Sequence, residues 1–186
     1  MKIIALNGQK GAGKGEVARF IRDFLHFHKL TTRIVGYGDV MKDRCYDVFN
    51  VSGLQDRAYY DMMREECEKV LPQLGITPRE CWIRFAESMR AIDPLIWVKS
   101  MDDDLKHSKA DVTIVHDLRK PVEYDALSNT KATMIRIIRP GIKVSTDLVD
   151  HELNDKIFHH QFINDCYGLE ALRSKVYGFM KEIYVV

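Results

Sequence analysis

The feature that most constrains this chain is its opening. An apolar run, Ile3 to Leu6, leads to Gly8 and then through NGQKGAGKGE, residues 7–16, where three glycines precede Lys14. Residues 2–7 predict a fully buried strand. Val17, Phe20, Ile21, Phe24 and Leu25 recur at helical spacing and predict an amphipathic helix over 15–29. A strand that turns directly into a helix through Gly8, Gly11 and Gly13 lets the backbone curl so that successive N–H groups point inward at the positive end of the helix dipole. Such a hollow suits an anion, and Lys14 brings a full positive charge to it. The plain alternative is a glycine-rich turn with a solvated lysine; strand, glycines, lysine and helix in this order argue against it.

The rest of the chain repeats the alternation. Strands are predicted at 31–38, 111–117, 132–139 and 161–165. Helices are predicted after Asp39 as N-cap, over 54–71, over 78–91 behind a Thr77 cap, from Asp93-Pro94 to Lys106, over 121–128 and over 168–182. Residues 142–160 are polar and weakly periodic and read as a loop or flap. Alternating strands and helices imply an α/β fold with a parallel sheet covered on both faces, in a single domain spanning 1–186.

Composition narrows the partners. With 28 Lys+Arg against 27 Asp+Glu, the net charge of +1 supplies no field for a polynucleotide backbone, so a basic site must be a local pocket. Cys45, Cys67, Cys81 and Cys166 form no CxxC pair, so zinc and a disulfide framework are not expected. The apolar run at the start is too short for a signal peptide or a membrane span. These features predict a soluble, cytoplasmic protein with no membrane partner.

Gly8-x-x-x-x-Gly13-Lys14 between strand and helix matches the P-loop pattern, in which the lysine serves β- and γ-phosphates. Gly8, Gly11, Ala12, Gly13, Lys14, Gly15 and Glu16 are therefore the candidate residues around a triphosphate tail. Where P-loop GTPases and ATPases place a Mg²⁺-binding hydroxyl after the lysine, this chain has Gly15. Glu16 reads best as a first-turn acid favoured by the helix dipole and facing solvent. Lys-Gly resembles the nucleoside-monophosphate kinases, where phosphates and water hold most of the metal.

Further blocks narrow the resemblance. YGDVMKDRCYDVFNV, TPRECWIRFAESMRAIDPLIWVK, TIVHDLRKPVEYDAL and MIRIIRPG occur in this order. With the glycine loop they resemble the deoxynucleoside monophosphate kinases of tailed phages over nearly the whole chain. The resemblance implies a P-loop three-layer α/β/α fold, a helical monophosphate-binding region at about 39–107, a lid-like flap at about 140–160, and phosphate transfer from ATP, with Mg²⁺, to a deoxynucleoside 5′-monophosphate in the host cytoplasm. It aligns Asp39 and Lys42 with the border of the monophosphate site, Arg79 with an arginine facing the acceptor phosphate, and Trp97 with an aromatic against the acceptor base. Asp117 and Arg119 align with a D-x-R at the end of a central strand, and Glu123 with the acid that follows. The chain departs from the family at Ile83, Ala86 and Glu87, at His151-Glu152-Leu153-Asn154 and at Asn164-Asp165-Cys166.

The chemistry needs no general base, because the attacking phosphate oxygen is mostly ionised near neutral pH, its second pKa being about 6. It needs positive charge from several directions: Lys14 and Mg²⁺ for the donor, Arg79 for the acceptor, Arg119 as a clamp, with Asp117 holding metal-bound water or orienting Arg119. No protein metal ligand beyond Asp117 is expected. Arg139 and Lys143 are flap candidates for phosphate contact. Plainer roles stand beside these: a surface position for Arg79, an Arg119–Glu123 pair, a core position for Trp97, a helix cap for Asp39. The rival functions are a kinase of another small metabolite and a P-loop protein that only binds or hydrolyses nucleotide. A homodimer is the default assembly.

Overall fold

The computed structural model describes residues 1–144, 146 and 148–184. Strands β1 (Lys2–Asn7), β2 (Thr32–Val35), β3 (Val112–Val115), β4 (Thr133–Ile138) and β5 (His160–Ile163) form one sheet in the order β2-β3-β1-β4-β5. All four pairings are parallel. The helices are α1 (Lys14–Phe27), α2 (Tyr37–Phe49), α3 (Arg57–Met62), α4 (Pro78–Ile92), α5 (Ile96–Lys106), α6 (Pro121–Ser128) and α7 (Leu169–Ile183). The fold is therefore α/β, with an all-parallel five-stranded sheet flanked by helices. Among the described residues, no helix is long and apolar enough to cross a membrane.

The chain separates into two compact units, Met1–Gly36 with Leu105–Val186, and Tyr37–Asp104. In the first, strand alternation sends Ile4, Leu6, Ile114, Ile135, Ile137 and Phe162 into one core with Val17, Ile21 and Phe24 of α1 and Val176 and Met180 of α7. The residues between them in sequence, Ala5, Thr113, Val115 and Met134, are also without exposed surface. A sheet buried on both faces explains why β1 and β3 read as continuous apolar runs. The chain leaves β1 toward β2 and leaves β4 toward β5, in opposite directions across the sheet. The carboxyl ends of β1 and β4 thus form a topological switch point, where open α/β sheets take ligands.

The second unit is helical and gathers around Tyr46, Tyr60, Trp82, Cys45, Cys81 and Leu54. Its best-formed start is that of α4, where Thr77 and Glu80 make a reciprocal capping box ahead of Pro78. Two expectations are corrected here. The helix expected over 54–71 is broken: α3 covers only Arg57–Met62, Met63 leaves the helical region, and a 3-10 helix follows at Arg64–Glu68. The reason is that REECEK offers no apolar stripe to bury, so tertiary packing, which supplies most helix stability, is missing there. Asp39 is not an N-cap either, because α2 begins at Tyr37, which is itself buried; Asp39 stands inside the first turn.

Candidate functional site

The loop between β1 and α1 is shaped by close approaches that only glycine allows. A Cβ on Gly8 would stand 2.6 Å from the carbonyl oxygen of Ile137 on β4, and one on Gly13 2.6 Å from Asn164 Nδ2. Gly13, the N-cap of α1, has φ +91°, so a side chain there is strained as well as crowded. Asn164 is 3% exposed and donates to the carbonyl of Ala12 at 2.9 Å, which pins the loop from behind. Ala12 is itself buried. Gly15 differs from these, since nothing lies within 4 Å of the position its Cβ would take. Glu16 pairs with Arg19 at 2.6 Å on the half-exposed flank of α1, the solvent-facing position read from the sequence.

Lys14 begins α1, where the helix dipole disfavours a cation. Its ammonium donates to the carbonyls of Gly8 (2.5 Å) and Gln9 (3.0 Å). Burial, and then the nearby Arg119 guanidinium, lower its pKa to about 8, opposed by Asp150 and Asp117. Two cations and two carboxylates thus share one neighbourhood at the positive end of a helix. Arg119 Nη1 lies 3.3 Å from Asp150 Oδ1. Asp150 also accepts from the backbone N–H of Lys10 at 2.9 Å, and its side chain is 1% exposed.

The segment that follows β3 is placed by backbone contacts to both neighbouring strands. His116 N–H donates to Val35 and Leu118 N–H to Leu6, while Asn7 Nδ2 donates to the Leu118 carbonyl. Asp117 packs against Gly36, where a Cβ would stand 2.6 Å from its carboxyl carbon. Glu123 is buried and accepts from the backbone N–H groups of both Arg119 and Lys120, 3.0 Å each. It thereby caps α6 and sets the backbone from which Arg119 reaches Asp150.

A cavity of about 320 Å³ opens at the switch point, between Gly8 and Gln9, the Arg136–Arg139 end of β4, and Asp150, His151 and Asn154 of the β4–β5 connection. Arg136 holds that connection by donating to the carbonyls of Leu153 and Asn154, its guanidinium 4.3 Å from the Phe158 ring centre. Lys120 to Glu152 at 2.6 Å ties it to the start of α6. Arg139 Nη1 donates to the carbonyl of Gly11 at 3.2 Å, while Lys143 is exposed. Among the described residues, no group of three or more His, Cys, Asp or Glu side chains is placed to hold a metal ion.

Of the residues singled out in the sequence, the first unit brings Lys14, Asp117 and Arg119 together with the glycine loop. Asp39, Lys42, Arg79 and Trp97 belong to the second. Asp39 and Asp43 each lie 3.5 Å from Arg57. Lys42 stands 4.6 Å from the centre of the Trp82 ring. Arg79 is exposed and 3.5 Å from Glu68. Lys42 and Arg79 share surroundings, for both act on the Cys67 thiol against the burial that pushes its pKa up. Trp97 requires a correction: it is 4% exposed, donates its indole N–H to the Ala86 carbonyl at 3.3 Å and packs by Phe85. It is a core residue, and no face is presented for a base to stack on.

Sequence reasoning missed Asp150, Gly36 and the loop-pinning role of Asn164. Asp150 sits in a weakly periodic stretch, Gly36 lies inside the strand predicted over 31–38, and Asn164 lies far from the loop in sequence. The one signal within reach was that a buried asparagine after a strand must find a backbone partner. No protein-family model matches the chain, and no curated protein matches it.

Proposed function

We propose that this protein is an ATP-dependent phosphotransferase that converts a deoxynucleoside 5′-monophosphate to the diphosphate. The glycine loop is its P-loop, residues 140–160 its lid, and the helical unit its monophosphate-binding region. The observation that carries the reading is the convergence of Lys14 and Arg119 with a glycine-shaped helix N-terminus at the switch point of a parallel sheet. One ammonium and one guanidinium gathered at the positive end of a helix oppose its dipole, and a bound anion there would offset that cost.

In this reading the backbone N–H groups of the loop and Lys14 hold the β- and γ-phosphates. Arg119 neutralises charge on the transferring group, and Lys42 and Arg79 hold the acceptor phosphate. An acceptor oxygen forms its bond to the γ-phosphorus as the bond to the bridging oxygen breaks, and the electron pair leaves on the β-phosphate of ADP. Mg²⁺ would neutralise the phosphate oxygens, carried by the nucleotide and its water, and Asp117 would hold a metal-bound water. Once donor and acceptor are both seated, the lid excludes water, which would otherwise compete as acceptor. Such an enzyme acts on small nucleotides in the cytoplasm.

A coupled assay for ADP with ATP, Mg²⁺ and a panel of deoxynucleoside monophosphates tests the proposal. ADP formed only with a monophosphate present is the expected result. ADP formed regardless of acceptor would make the protein a nucleotide hydrolase, and none in any mixture would overturn the reading.

A further inference from the structure

Among the described residues, Asp150 is the lid carboxylate that touches the glycine loop. Its Oδ2 takes the Lys10 N–H at 2.9 Å, its Oδ1 lies 3.3 Å from Arg119, and its side chain is 1% exposed. It also draws on Lys14, whose protonated form it favours. These three groups are a backbone donor of the loop, the candidate clamp and the cradle lysine. A carboxylate is a small anion with two acceptor oxygens, and it meets here the donors a phosphate group would use.

We infer that Asp150 is a built-in competitor for phosphate: it occupies the cradle's own donors, and a phosphate tail seats only by displacing it, which releases the lid segment Leu148–Asp150 from the loop. The inference rests on the reading of the glycine loop as a phosphate seat, and not on the identity of the acceptor. Its logic is charge accounting in a poorly hydrated place. The Asp150 carboxylate is buried and the cations around it are half-buried, and parting such a pair is costly unless another partner replaces the lost one. Asp150 supplies that partner until a better one arrives. Arrival of phosphate then returns the Asp150 carboxylate to water, and lid movement becomes coupled to occupancy of the seat. The remaining anchors of the connection, Lys120–Glu152 and Arg136 with the Asn154 carbonyl, do not involve the loop and can hold while Asp150 lets go.

The test titrates the full chain with sodium tripolyphosphate in the presence of EDTA, so that no metal contributes, and reads affinity by calorimetry. Asp150→Asn keeps the shape and removes the charge; Asp150→Ser removes the carboxyl altogether. Both variants are expected to bind about tenfold more tightly than the wild type, as when the ligand-competent form is roughly a tenth of the population. Equal or weaker binding in the variants overturns the inference while leaving the phosphate seat standing. No binding by any of the three overturns both. A readout on the wild type needs no variant to fold: amide exchange across 148–150 should quicken at saturating tripolyphosphate, and unchanged or slowed exchange there overturns the inference.

Discussion

The sheet-bearing unit and the helical unit hold their candidate residues by different physics. Among the described residues, the buried polar or charged residues Asn7, Thr113, Glu123 and Asn164, and the buried side chain of Asp150, belong to the first unit. Asn7, Glu123 and Asn164 bond to backbone at or beside the candidate site. Bonds of that kind, out of water and without loose side-chain partners, hold geometry firmly. In the second unit the candidate cations meet solvent: Arg57 with Asp39 and Asp43, and Arg79 with Glu68, are pairs at 3.5 Å on partly exposed side chains. Exposed pairs of that sort contribute less than about 1 kcal/mol each and rearrange at little cost. The contrast teaches that a preorganised seat and an adaptable one can be distinguished by where the polar groups are buried. On the proposed function, the rigid seat serves the reacting phosphates and the adaptable one serves the acceptor.

The sharpest way to break this contrast is Lys14→Ala, which should lower turnover by roughly 10²–10³-fold, the scale for losing one preorganised donor. It should leave the fold intact, since Lys14 is an unfavourably placed cation. Unaltered turnover in the coupled assay would remove Lys14 from the site. The same residue predicts a pH dependence. Its folded pKa is lowered to about 8, so its charge is lost as pH rises through that value, and kcat/KM for ATP should fall above about pH 8. Stability moves the other way: between pH 8 and 10.5 the unfolded chain binds the extra proton, so unfolding free energy rises with pH, and Lys14→Met should lack that rise. A matched pair of pH–stability profiles checks it.

Next in size, Gly8→Ala drives a Cβ into the Ile137 carbonyl, a backbone atom that cannot swing aside. A loss of roughly 1–3 kcal/mol is expected, seen as a Tm lower by several degrees. Gly36→Ala meets the Asp117 side chain instead, which can turn, so it should lower turnover by about tenfold with a smaller change in Tm. The adaptable seat is probed by Arg79→Ala, which should raise KM for the monophosphate several-fold, leave KM for ATP alone, and shift stability by less than about 1 kcal/mol. Equal damage to both KM values would take Arg79 out of the acceptor role. Smallest of all, Gly15→Ser should fold normally, because its Cβ meets open space, and should change turnover little if the metal is carried by phosphates and water.

What the sequence determined by itself is local and periodic. The buried strands, the helix behind the glycines, the capped start of α4 and the short α6 all follow from hydrophobic spacing and from cap and turn residues within a few positions of one another. The glycine loop was legible for the same reason, its elements being contiguous. The helix expected over 54–71 breaks at Met63 because the REECEK stretch that follows has no apolar stripe to bury. Only the tertiary structure decided which distant residues share a place: Asn164 behind Ala12, Asp150 against Lys10 and Arg119, Gly36 beneath Asp117, Trp97 in the core by Ala86. Those pairs span 11 to 152 positions. Nothing local encodes them, because strand order and crossover path set which chain segments meet at the carboxyl ends of the sheet, and burial follows from that meeting alone.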